Sequence, residues 1–440
     1  MIGPATFVRG RLGESRGVVA FQHRNYRLFF SGQLISLIGT WMQQVAQAWL
    51  VLQLTGDPIW LGIVATAQFL PVMVFGLFAG VAADAFSKRR VLIGTQVSMM
   101  ILAAVLAVLV IANVVQVWMI VGLAFLLGIA NAVDMPVRQS FAVELVGRED
   151  VSAAVALNSA MFNGARVVGP AAAGLAIGAF GVAAAFALNA VSFLAVILGL
   201  WLMDERELRI GARIARPSSI GAVTRNLAEG LAYVRQTRIV LLATVVVGTV
   251  ATVGMNFGVL IPAFAQHDLG SDATGYGFLM AASGIGSLLA ALRLVFGGRP
   301  RPIRLASGAL ILGVASVALA VCRIFPLSLA LMVVVGFGSI LMAATANATI
   351  QLAVPDHLRG RVMSVYTTVF SASVPIGGLT MGAVASGFGA SLAIALGGIL
   401  SVTVGLAALA WGRQDGFAIP ESAPIGLGGT VPVVPSARPR

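Results

Sequence analysis

Polar side chains scattered through an otherwise apolar chain mark where this sequence could do chemistry. Gln33, Ser36, Thr40, Gln43, Gln44 and Gln47 recur mostly at spacings of three or four, so one helix would carry them as a stripe. Ser159, Asn163 and Arg166 form a second stripe, and Arg166 lies deep in an apolar run, where an unpaired cation is costly. Amide stripes can offer donors and acceptors to a small molecule, or can hydrogen-bond one helix to the next. Arg166 can face an anionic group of a cargo or pair with Asp134. Asp84 and Asp134 can take up a proton if partly buried, whereas a nearby Arg would hold them ionised. Asn256, Asn347 and Tyr366 sit in later apolar runs, beside Thr249, Thr252, Thr345, Thr349, Phe370 and Ser373. Each could line a cavity or simply pack. His23, His267 and His357 stand apart, and no His, Cys and carboxylate grouping has metal-ligand spacing. No run pairs a nucleophile with a base, so no catalytic site, metal or cofactor is expected.

The elements that must hold these residues are membrane helices. The chain has 440 residues, of which 59% are hydrophobic and 10% charged, against about 25% charged in a soluble domain. Apolar runs over roughly 28–53, 60–83, 91–112, 117–141, 152–178, 181–203, 239–264, 274–297, 303–322, 326–351, 361–387 and 390–412 predict about twelve spans, each near the twenty residues that cross a bilayer core. With both termini on one side, every basic residue except Arg166 and Arg323 falls at that side, which the positive-inside rule makes the cytoplasm. The formal charge of +12 is therefore a topology signal and not a nucleic-acid surface. Lys88 is the only lysine and no Walker sequence is present, so the chain has no ATP site of its own. Cys322 is alone, which excludes an intrachain disulfide. The N-terminal stretch does not read as a cleavable signal, because the first apolar run is too long.

The stretch from Gly80 to Arg90 forms a basic turn between two spans. It resembles the loop motif between the second and third helices of the major facilitator superfamily, Gly-x-x-x-Asp-Arg-x-Gly-Arg-Arg. Gly80, Asp84, Lys88 and Arg89 match it, while Ala85 and Ser87 depart. Arg24-Asn25-Tyr26-Arg27-Leu28-Phe29, Asp134-Met-Pro136-Val-Arg138-Gln139, Arg166-Val-Val-Gly169-Pro170 and Arg359-Gly360-Arg361-Val362-Met363-Ser364 resemble the enterobactin-exporter-like branch, the transmembrane secretion effectors. Gly169-Pro170-Ala-Ala-Ala173-Gly174 resembles the superfamily's fifth-helix antiporter motif, with Ala173 departing.

The resemblance implies an all-α membrane protein of two pseudo-symmetric six-helix halves, with a cargo site between them near midplane. It implies a secondary active, proton-coupled exporter of siderophores, drugs or other amphipathic molecules, working by alternating access. Gly80, Asp84, Lys88, Arg89 and Arg90 would latch one conformation. Asp134 and Asp84 would handle protons or join that latch, and Thr40, Gln43, Gln47, Asn163, Arg166, Asn256, Asn347 and Tyr366 would line the cavity. The superfamily's fourth-helix proton-transfer motif would place Arg at position 124, where this chain has Ala, so the proton carrier stays open. The expected divisions are a cytoplasmic tail over 1–27, a first half over 28–203, a linker over 204–238 with an amphipathic helix, a second half over 239–412 and a disordered tail over 413–440. That helix would lie on the membrane surface or stand in solvent. A weak repeat, Leu145-Val146-Gly147 leading to Gly169-Pro170 and Ala353-Val354-Pro355 leading to Gly377-Gly378, supports two related halves. A monomer in the plasma (inner) membrane is expected. A transport-inactive sensor or scaffold of the same fold is the rival reading.

Overall fold

The computed structural model describes residues 19–83, 87–147, 149–209, 220–296 and 302–415. Among them the chain is helical with no strand, as a backbone in hydrocarbon must be to satisfy its own N–H and C=O groups. The helices are α1 (Arg24–Thr55), α2 (Ile59–Ala83), α3 (Lys88–Ile111), α4 (Val117–Val146), α5 (Val151–Phe180), α6 (Val182–Trp201), α7 (Ile220–Gln236), α8 (Arg238–Gly254), α9 (Phe257–Ala263), α10 (Ala273–Phe296), α11 (Ile303–Val321), α12 (Phe325–Ala353), α13 (Asp356–Phe388) and α14 (Ala390–Asp415). Every expected span but the seventh falls on one of them. Nine described segments are long and apolar enough to cross a membrane. The stripe-bearing helices α1 and α5 fall outside that set, because their Gln, Asn and Arg residues lower the mean hydropathy.

Glycine sets the tight turns. Gly56 ends α1 in the left-handed region at φ 66° and its N–H caps Leu52 O, after which Asp57 Oδ1 accepts the Ile59 N–H that opens α2. The expected seventh span is not continuous. It breaks at Met255–Asn256, where Asn256 Nδ2 turns back to donate to Thr252 O at 2.6 Å. The chain resumes as α9 and a π-helical turn, Phe264–Asp268. Gly254 and Asn256 are poor helix formers, but the apolar run passes through them unbroken and conceals the break.

Packing repeats between the halves. The α2–α4 pair of the first half answers to α10–α12 in the second, and α3–α6 answers to α11–α14. Across the halves, α2 meets α13 and α5 meets α10. These crossings rely on small residues, as helices without a hydrophobic drive between them require. A Cβ on Gly62 would stand 2.2 Å from Gly378 O, and one on Gly277 would stand 2.5 Å from Pro170 O.

The apolar cores show where the halves touch. One core gathers Trp49, Leu61, Ile177, Leu260, Tyr276 and Met381, drawn from both halves at the end away from the termini. At the end carrying the termini there are two separate cores. One holds Tyr26, Phe141 and Leu200 of the first half, and the other holds Val247, Leu305, Met342 and Val362 of the second. The bundle is thus joined at the far end and parted at the terminal end.

The linker helix α7 is docked on the second half. Val234 is buried, Tyr233 donates to Ala353 O at 3.2 Å, Glu229 pairs with Arg361, and a Cβ on Gly230 would stand 2.4 Å from Arg361 O.

Candidate substrate cleft

The two polar stripes run along α1 and α5 of the first half. On α1, Gly32 and Gly39 lie against α6, while Ile38 and Trp41 lie against α5. The exposed Ile35 falls between those two contacts, on the outer face. Gln44 is nine positions on, hence about 180° round the helix at about 100° per residue, and it too is exposed. An exposed amide on the inner face faces the space between the halves. Gln33, Leu37, Thr40 and Gln47 flank that direction. Thr40 turns its hydroxyl back to Ser36 O at 2.9 Å, and Gln33 Oε1 is buried without a hydrogen-bond partner.

Gln43 sits off this face and accepts a hydrogen bond of 2.6 Å from Asn189 Nδ2 of α6. That bond joins two helices of one half. Of the two uses the sequence suggested for the stripe, Gln43 serves the interhelical one.

On α5, Pro170 and Gly174 meet α10 near the far end. The same face continues toward the terminal end as Arg166, Asn163 and the exposed Ser159. Asn163 Nδ2 donates to Ser159 O at 2.8 Å. Arg166 stands over the Trp41 ring, 5.9 Å from its centroid, and forms no ion pair among the described residues. Its alternative partner, Asp134, is engaged elsewhere. Asp134 is 0% exposed, takes hydrogen bonds to Oδ1 from Thr95 (2.8 Å) and Gln96 (2.9 Å), and faces Arg138 Nη2 at 3.1 Å. This set ties α3 to α4 behind the cleft wall.

The second half contributes less polarity. Asn256 is buried at the α8–α9 break against Gly377. Asn347 accepts from Gln351 one turn on. Tyr366 is buried, donates to Ala343 O at 3.3 Å and stacks on Phe370. Tyr366 thus ties α13 to α12 and Asn256 packs against α13, while the Asn347 bond stays within α12.

Of the basic turn, Gly80 lies in the last turns of α2 and Asp84 falls outside the described residues. Lys88 pairs with Glu144 at 2.7 Å. Arg89 caps the C-terminal end of α6 through Leu200 O (2.6 Å) and Trp201 O (2.8 Å), pairs with Glu205, and so sits where a helix dipole favours a cation. Arg90 is exposed. All these partners belong to the first half or to the chain just after it.

Three contributors were not chosen from the sequence. Trp41, an indole beside a stripe of amides, and Thr66, which donates to Pro375 O across the halves at 3.3 Å, gave no periodic signal. The third is a clamp at the terminal end. Asn25 Nδ2 donates to Asp204 O (2.8 Å) and Asn25 Oδ1 accepts the Asp204 N–H (3.1 Å), while the Tyr26 hydroxyl donates to Ala154 O (3.2 Å). Its Arg-Asn-Tyr signal was visible only as a resemblance.

Two related six-helix halves, joined at one end and parted at the other, define a transporter of the major facilitator architecture. The chain belongs to the transmembrane secretion effector family of that superfamily, which it matches over residues 16–415. It is 32% identical over 357 residues to the multidrug efflux pump Tap of Mycolicibacterium fortuitum, covering 78% of this chain and 85% of that protein. It is 25% identical to the staphyloferrin A transporter of Staphylococcus aureus, covering 86% and 94%. The macrolide efflux protein A of Streptococcus pyogenes is 23% identical, with 88% and 96% covered. Among solved structures, the nucleoside transporter NupG superposes with a TM-score of 0.68 over 89% of this chain and 99% of that one, at 12% identity. A bacterial homologue of the lysosomal transporter Spinster gives 0.67 over 90% and 97%, at 13% identity.

Proposed function

We propose that this chain is a plasma-membrane exporter that moves amphipathic small molecules, drugs or siderophores among them, outward by alternating access. The observation that carries the reading is the cleft: the exposed Gln44 amide on the inner face of α1 opens toward the end that gathers the basic residues, and small-residue crossings close the other end. The basic residues put the termini in the cytoplasm, so cargo would enter the cleft from inside. Rocking of one half against the other would then part the α2–α13 and α5–α10 crossings and join the terminal end. The Gly80–Arg90 stretch would latch that second state. Relatives named for multidrug, macrolide and staphyloferrin A transport support the cargo class. Export against a gradient needs a coupling ion, and we assign that role to the proton, with Asp134 and Asp84 as candidate carriers. The working unit is a monomer and moves its cargo chemically unchanged.

Retention of a panel of fluorescent dyes and siderophores in cells expressing the protein tests this. Expression should lower retention of at least one probe, and a protonophore should restore it. Asp134→Asn, expressed at equal level, should slow export at least tenfold if Asp134 is the carrier. Unchanged retention across the whole panel would sink the export reading and leave the sensor or scaffold reading in its place.

A further inference from the structure

The guanidinium of Arg166 is built into the protein without a counter-charge. It lies mid-span and only partly accessible, over the Trp41 indole, and Trp41 is in turn fixed by Phe162, whose ring meets it edge-on at 5.6 Å between centroids. Arg166 forms no ion pair and no hydrogen bond among the described residues. A face of an indole offsets part of the cost of taking a guanidinium out of water, but it engages none of the N–H donors. Asp134, the carboxylate the sequence offered, is occupied by Thr95, Gln96 and Arg138.

The position explains what could complete the charge. A Cβ on Gly284 would stand 2.8 Å from Arg166 O, so α5 and α10 are in backbone contact at the level of Arg166. From there toward the terminal end the same face of α5 carries Asn163 and Ser159 along the cleft wall. Arg166 thus heads that face of α5, over the Trp41 ring, with its planar fork of donors unengaged. Such a fork matches the two oxygens of a carboxylate, and in a desolvated site a charge-assisted pair is stronger than its neutral counterpart.

We propose that Arg166, positioned by Trp41, is an anion subsite of the cleft that takes the carboxylate of an amphipathic, ring-bearing cargo. The inference rests on reading the cleft as the cargo path. It adds a substrate class: molecules with one acidic group on an apolar body are preferred over their neutral isosteres.

The test is binding to the full chain in nanodiscs, by calorimetry, with 2-naphthoate and its neutral amide, 2-naphthamide, as probes. The wild type should bind the carboxylate at least tenfold more tightly than the amide. Arg166→Gln should abolish that preference while changing affinity for the amide less than twofold. Arg166→Lys, a point charge without the fork, should keep a reduced preference. Equal binding of the two probes, binding of neither, or equal loss of both in Arg166→Gln overturns the subsite. Should Arg166→Gln fail to fold, the ratio decides through Arg166→Lys alone: a fall supports the subsite and an unchanged ratio overturns it. Carboxylate preference without any export in cells would remove the export reading and leave the subsite. Export of a cationic dye without carboxylate preference would do the reverse.

Discussion

Gln43 and Gln44 are adjacent in the chain and about 100° apart on α1. One is closed by Asn189 and the other is open to the cleft. Interhelical hydrogen bonds within a bilayer are worth about 0.6 kcal/mol on average, so Gln43→Leu and Asn189→Leu should each lower thermal stability in detergent. A double-mutant cycle should return a coupling of roughly that size. Gln44→Leu should leave the melting temperature unchanged and alter the relative export of polar and apolar dyes. The same change in stability for both glutamines would show that they do one job. At this scale the sequence announced the stripe, because period and polarity are properties of the chain. It could not separate Gln43 from Gln44, since the separation depends on Asn189, which lies 146 positions away. Arg166 shows the same limit. The sequence offered Asp134 as its partner, and only the packing of α3 against α4 shows Asp134 already taken.

Helix against helix, the closed end depends on absent side chains. The crossings α2–α13 and α5–α10 admit no Cβ at Gly62 or Gly277 without moving a neighbouring backbone carbonyl. Forcing extra carbon into close packing costs about 1–3 kcal/mol, and about 1.4 kcal/mol shifts a two-state population tenfold. Gly277→Val should therefore drive the protein toward the state with the far end open and the terminal end joined. Spin labels at Val155→Cys and Leu352→Cys, both exposed near the terminal end, in a Cys322→Ser background, should report a shorter distance in Gly277→Val than in its parent. An unchanged distance distribution would mean that these crossings do not set the resting state. The helices themselves were legible from apolar runs and glycine turns. The break between α8 and α9 was not, because hydropathy averages over a window and passes across a two-residue interruption.

For the whole molecule, the placement of basic residues makes a directional claim. In the Cys322→Ser background, a membrane-impermeant maleimide added to intact cells should label Phe180→Cys at the far end and spare Leu202→Cys at the terminal end, both sites being exposed. The opposite pattern would invert the protein and turn the cleft outward. Two related halves could be read in the sequence from the repeat and the span count. The state in which they rest could not, since it follows from which apolar residues of one half find those of the other. The clamp at the terminal end carries a further meaning, for the order in which the protein is made. Asn25 must wait for Asp204, which is 179 residues later; at about 5–20 residues per second that is roughly 10–35 s. Until then the Asn25 side chain lacks its partner and the first half has no closing member. The ribosome thus delivers the first half as an open arc that becomes a ring when the chain leaves its sixth helix, before any of the second half has been synthesised.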